Sequence, residues 1–191
     1  MNLQIEIERI DGFRDDQQAK IRSACALIGQ AVNTPEFIDR MMAMTYEKVT
    51  TTGRWWWKTY TTETVPGFYF APGETVYDNA TVMKMINDAI EMHHDPVSGK
   101  IVLDLDCVFG HTSATAYGLP SDNNIEIYSW WIDAAGLTDL MNTIFHEWLH
   151  KLGFEHDFQP TANRDDSVPY KGGDTLQDVA DEKIASGEFK I

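Results

Sequence analysis

His146-Glu147-Trp148-Leu149-His150-Lys151-Leu152-Gly153-Phe154-Glu155-His156-Asp157 is the stretch on which the fold and the chemistry of this 191-residue chain turn. At about 100° per residue, His146 and His150 stand about 40° apart, one turn above each other on a helix. Glu147 lies about 60° from His150, so its carboxylate can reach past both imidazoles. Leu137, Leu140, Met141, Ile144, Trp148 and Leu152 form an apolar stripe at helical spacing. The centre of that stripe is roughly opposite the two histidines. The spacing therefore predicts a helix over 136–152, with one face in a core and the other offering ligands to a cleft.

Gly153 follows one turn beyond His150. Glycine there can take the left-handed conformation that ends a helix and reverses the chain, and it places no side chain beside a metal. The reversal brings His156 back as a third imidazole. Three histidines leave the fourth position of a tetrahedral zinc open for water, as in catalytic sites. Zinc lowers the pKa of such a water to about 7. Glu147 stands where it can take the proton and pass it to a leaving amine.

Outward from this segment, the pattern predicts a strand at 3–10 with Leu3, Ile5 and Ile7 on one face. Helices follow at 15–32 and 35–44, the first opening on Asp15 and Asp16, where acids suit the positive helix end. Trp55-Trp56-Trp57 and the Thr and Tyr after them suggest strand between 53 and 75, packing alternately into core and surface. Pro66-Gly67 and Pro72-Gly73 mark turns there. A helix is predicted over 76–92, with Val76, Ala80, Met83, Ile86 and Ile90 inward. Strands are expected at 100–108, 112–117 and 125–130, with a turn at Ser121-Asp122-Asn123-Asn124. The tail reads as turns at 157–173 and a last helix near 174–186. This order predicts a single α+β (mixed α/β) domain over 1–191, a twisted mixed sheet packed on helices.

With 43% hydrophobic and 12% aromatic residues, the composition is that of a folded chain with a real core. Its formal net charge is -15. Such a surface repels phosphate backbones, so nucleic acid is not an expected partner. The first residues alternate apolar and polar, unlike a signal peptide. No apolar run reaches membrane-spanning length, so no membrane partner is expected either. The chain reads as cytoplasmic, or exported by a non-classical route. Cys25 and Cys107 are expected to be free thiols.

The HExxHxxGxxHD pattern at 146–157 resembles that of the metzincin zinc endopeptidases. The resemblance implies His146, His150 and His156 as zinc ligands and Glu147 as general base. It implies a zincin-like fold, a twisted sheet above the active-site helix (1–153) and a smaller C-terminal part below the cleft (154–191). Ala114-Thr115-Ala116-Tyr117-Gly118-Leu119-Pro120 is similar to the edge strand with which these enzymes pair an extended substrate. Ala114, Thr115, Ala116 and Tyr117 are thus candidate substrate-binding residues. The family's methionine turn is not matched, because no methionine follows the zinc motif. Ser167-Val168-Pro169-Tyr170 is the nearest segment. Pro169 would stand at the corresponding turn, and Tyr170 would approach the zinc and hydrogen-bond an oxyanion.

The implied activity is a zinc-dependent endopeptidase acting on a peptide or protein. Two other functions fit the ligand set. One is a zinc-binding structural or peptide-binding module without proteolytic activity, against which an intact Glu147 argues. The other is a zinc hydrolase of non-peptide amides. Other candidates carry less. His93-His94-Asp95 reads as an exposed helix end, and His111 as a surface residue. Asp104 and Asp106 share a strand face without the ligand loop that calcium takes. Asp157 is placed to hydrogen-bond the turn or a ligand histidine.

Overall fold

The chain begins with β1 (Gln4–Asp11), α1 (Asp15–Ala31) and α2 (Pro35–Met42). Two antiparallel pairs follow, β2 (Thr45–Thr52) with β3 (Thr59–Pro66) and β4 (Phe68–Phe70) with β5 (Thr75–Tyr77), and then α3 (Asn79–Asp88). The second half runs β6 (Lys100–Val108), β7 (Ala116–Gly118), β8 (Ile125–Tyr128), α4 (Ser129–Ala134), α5 (Leu137–Lys151) and α6 (Val168–Ala185). A 3-10 turn at Arg164–Asp166 precedes α6. The structure, a computed structural model, describes all residues except 55, 71–74, 93–98, 111–113, 119–123, 158, 160, 162 and 191; at 70, 75 and 76 it describes the backbone alone.

The main sheet has the order β1-β6-β8-β7. β1–β6 and β6–β8 are parallel, and β7 joins β8 antiparallel as an edge strand. Alternation along β6 buries Ile101, Leu103 and Leu105 against the helices. The opposite face carries Glu6, Glu8, Asp104, Asp106 and Glu126. Arg9 reaches across from β1 to Asp104 at 2.7 Å and Asp106 at 2.9 Å. Both carboxylates are therefore used in holding β1 to β6, which removes them as a calcium pair.

α1 turns Ile21, Ala24, Leu27, Ile28 and Ala31 into the core, the face that its period predicts. α6 adds Leu176, Val179 and Ala180 to the same hydrophobic cluster that begins at Leu3. Phe154 and α6 are thus packed into the common core. Cys25 is buried, Cys107 half-buried, and both are free. Burial pushes the Cys25 thiol up to about 12. Among the described residues, no helix is long and apolar enough to cross a membrane.

Several sequence expectations are corrected. β2 carries no apolar alternation and was not expected. Trp56 and Trp57 lie in the turn between β2 and β3, exposed, and not in a strand; Trp55 is outside the described residues. α3 spans only ten residues. Asp78 caps it at 2.9 Å from the Thr81 N–H, and Ala89 ends it at φ 50°. Val76 falls in β5, and Ala80 and Ile90 face solvent. β8 stops at Tyr128, where α4 begins instead of two further strand residues. α6 starts at Val168, six residues before the predicted helix. Its Gly172 and Gly173 are not turn residues but contact points: a Cβ on Gly172 would lie 2.6 Å from Leu149 Cδ1, and one on Gly173 would overlap Asn142. The turns expected at Pro72-Gly73 and Ser121–Asn123 lie outside the described residues.

Candidate metal centre

α5 is fixed by its apolar side. Leu140, Met141, Ile144, Phe145, Trp148 and Leu149 are buried along it. Phe145 stacks on Trp148 with ring centroids 5.5 Å apart. The indole N–H of Trp148 donates to buried Glu91 at 2.9 Å. Full burial of such large side chains stabilises by roughly 1.5–3 kcal/mol each. The opposite side of the helix presents His146 and His150, with ring centroids 5.1 Å apart.

The chain then reverses at Gly153, which has φ 91° and donates its N–H to the His150 carbonyl at 2.9 Å. The glycine is required for a further reason: a Cβ there would strike Met92 Sδ at 2.7 Å. Its empty side thus faces Met92, and not the metal site as the sequence suggested. Phe154, fully buried and edge-on to Tyr77, anchors the returning chain. That anchor brings His156 back to the helix, with its ring centroid 5.3 Å from His146 and 4.8 Å from His150.

Each imidazole has one nitrogen tied to the backbone. His150 Nδ1 donates to the Phe154 carbonyl at 2.6 Å, and His156 Nδ1 to the Asp157 carbonyl at 3.1 Å. His146 donates to the Pro169 carbonyl. A neutral imidazole so engaged keeps one lone pair on its other nitrogen. His146 Nε2 and His156 Nε2 face each other at 3.2 Å. One ligand atom from each of the three histidines lies within 4.8 Å of the others. Two lone pairs this close repel unless a cation sits between them, so the donor set fits a divalent metal.

Burial lowers all three imidazoles, His150 to about 4; neighbouring histidines add to the effect at His146 and His150, and Arg164 adds to it at His156. They are neutral near pH 7, the form that binds metal. No other group of three His, Cys, Asp or Glu among the described residues converges in this way. His93, His94, Asp95 and His111 lie outside the described residues.

Glu147 is buried beside the histidines. The Gly118 N–H on β7 donates to its Oε2 at 2.6 Å. Burial pushes this carboxyl up to about 7, against the pull of that hydrogen bond. Tyr170 lies edge-on to His146 with centroids 4.7 Å apart and is 4.9 Å from His156. The Arg164 guanidinium stands 4.9 Å over the Tyr170 ring and hydrogen-bonds its hydroxyl. Burial, the largest influence, raises the Tyr170 phenol.

These groups floor a cleft of about 830 Å³. Ala114, Thr115, Ala116, Tyr117 and Gly118 form one wall of it, and Asn142, Asp174 and Gln177 close one end. Asn142 donates to Asp174 at 3.0 Å and to Gln177 at 2.9 Å, which clamps α5 to α6.

The structure brings together every residue that the sequence placed in the site. Two placements differ in detail. Ser167-Val168-Pro169-Tyr170 is the start of α6 and not a free turn; Pro169 reaches His146 through its carbonyl. The Asp157 carboxylate accepts from Tyr69 at 3.3 Å and Thr161 at 2.5 Å, and only its backbone meets a histidine. Two roles were missed in the sequence: that of Gly118, quoted there only as part of the edge strand, and that of Arg164. A glycine ending an edge strand was the only signal for the first. For the second there was none, because Arg164 is connected to the motif only through space.

Comparison with models of protein families, with curated proteins and with solved structures finds no match for this chain.

Proposed function

We propose that this chain is a zinc-dependent peptidase of metzincin type, divergent beneath the metal, which hydrolyses peptide bonds in an extended substrate. One observation carries the proposal: three backbone-tethered imidazoles converge on one point at the floor of a cleft, with a carboxylate from the same helix beside them. His146, His150 and His156 would hold the metal. Bound there, zinc would supply a Lewis acid that acidifies water and polarises a carbonyl.

The chain's own groups account for the remaining steps. Glu147 takes the proton of the attacking water and delivers it to the departing amine. Gly118 holds the carboxylate in place for both transfers through its N–H. The Tyr170 hydroxyl, with Arg164 behind it, donates to the oxygen on which negative charge develops. The Gly118 N–H points away from β8 to reach Glu147. By the two-residue alternation of a strand, the Ala116 backbone turns the same way. An extended peptide can therefore add to β7 as a further strand along the cleft. An antiparallel edge strand above α5, with α6 below, also suits a zincin-like arrangement.

The test measures bound zinc and cleavage of an unfolded protein such as casein, for the native chain and for Glu147→Ala. The expected outcome is zinc near one per chain in both, with kcat/KM lower by about 10²–10⁴-fold in the variant. Cleavage unchanged by the substitution would contradict the mechanism. A native chain that binds zinc and cleaves nothing would instead favour the non-proteolytic module.

A further inference from the structure

β2 and β3 form a ribbon that the rest of the molecule does not cover. Tyr46 is buried and Val65, opposite it, is half-buried; beyond them Glu47–Thr52 and Thr59–Thr64 are exposed on both faces. Six strand residues carry the tip about 20 Å out from that base. Isolated two-stranded ribbons are marginal in water, so one this long gains from a partner.

The tip itself is built. Gly53 has φ 107°, and a Cβ there would run into the Trp57 carbonyl. The Trp57 N–H donates to the Arg54 carbonyl at 2.8 Å. This turn holds Trp56 and Trp57 outward, both 64% exposed, with Tyr60 at 65% beside them. The local charge opposes that of the whole. From Val49 to Thr62 the chain has Arg54 and Lys58 and no acid, although it carries 30 acidic against 15 basic residues overall.

We propose that this arm docks the protein on an anionic lipid surface, with the indoles of Trp56 and Trp57 at headgroup level and Arg54 and Lys58 against the phosphates. Indole has an apolar body and a polar edge and concentrates at the membrane–water interface. Arginine and lysine lay their stems along such a surface while the charge stays in water. The expectation of no membrane partner came from the lack of a membrane-spanning apolar run, and a peripheral contact needs no spanning segment. Nor does the acidic body repel the contact: the Debye length is about 8 Å at physiological salt, well short of the distance from the tip to that body. A sugar-stacking platform needs coplanar rings on one sheet face, whereas Trp56 and Trp57 are consecutive residues of a turn.

The test is co-sedimentation with vesicles of phosphatidylcholine alone and of phosphatidylcholine with about one-third phosphatidylserine. The native protein is expected to bind the phosphatidylserine vesicles, less so as salt rises. Arg54→Gln with Lys58→Gln should weaken that binding about 30-fold, at ~1 kcal/mol for each basic side chain near the surface. Trp56→Ser with Trp57→Ser should abolish what persists at high salt, and both variants should keep the native circular dichroism. No binding to either vesicle, binding unchanged by both variants, or binding to heparin or DNA with none to vesicles would overturn the proposal. Docking needs neither metal nor catalysis, so its outcome is independent of the peptidase assignment.

Discussion

Gly118 matters to the site because of what it lacks. A Cβ there would lie 2.6 Å from the Glu147 carbonyl oxygen and 2.9 Å from Glu147 Cβ. Gly118→Ala must therefore lift β7 off α5 and withdraw the N–H that holds the Glu147 carboxylate. Hydrogen bonds to charged groups contribute about 1.5–3 kcal/mol, so kcat/KM should fall about 10–100-fold while bound zinc stays near one per chain. Zinc loss in step with activity would mean that the substitution disrupts α5 itself. Tyr170→Phe makes a parallel case. It keeps the ring against His146 and His156 and removes only the hydroxyl. A drop in kcat with little change in KM is expected, and an unchanged kcat would remove Tyr170 from the chemistry. At this scale the sequence was legible where contacts are local. His146, Glu147 and His150 are one helical turn, and Gly153 and His156 follow within six residues. Gly118 and Arg164 are joined to that turn only by folding, and no spacing rule points to them.

At the scale of elements, α6 was read too short because Gly172 and Gly173 look like helix breakers. Each lies where α6 presses on α5, at Leu149 and Asn142. Glycine within a helix costs about 1 kcal/mol relative to alanine. Overpacking a tight contact costs typically 1–3 kcal/mol. The second effect wins where the neighbour cannot yield, and Asn142 is held by Asp174 and Gln177. Gly173→Ala should therefore lower stability by about 1–2 kcal/mol, read from the urea midpoint; a stabilised variant would show that α6 is packed loosely there. β1, α1, β6 and α5 were legible because each buries one face and so carries its own period. β2 and β3 bury almost nothing beyond their base. With no buried face there is no alternation, and their threonines gave only a preference for strand.

At the scale of the whole molecule, the proposed metal and the ion pairs both bear on stability. Three histidines from α5 and the following turn meet above α6, so zinc held there would be linked to the packing of these elements. A ligand at 1,000 times its Kd adds about 4 kcal/mol to stability. For a chain of this size that is roughly 8–16 °C in Tm, so chelation should lower Tm by this order and added zinc should restore it. A Tm indifferent to chelator would mean that the native fold does not hold the metal. Acid acts elsewhere. Arg14 and Gln17 on and before α1 hold Asp133 of α4 below the usual carboxylate range. A carboxyl with a lowered folded pKa contributes stability that is full above its unfolded value, about 3.9, and lost as pH falls through the folded value. The stability difference between the native chain and Asp133→Asn should therefore be constant near neutrality and shrink below about pH 4. A difference that grew on acidification would reverse the assigned sign. The net charge, by contrast, was the least informative whole-chain property, since it concealed a basic arm on an acidic body.

The most direct measurement is a zinc titration of the native chain and of His156→Ala, the ligand that reaches the site only through the reversal at Gly153. The predicted result is one zinc per native chain, with binding at least about 100-fold weaker in the variant. A native chain that takes up no zinc, or a variant that binds it as tightly as the native chain does, would contradict the three-histidine centre.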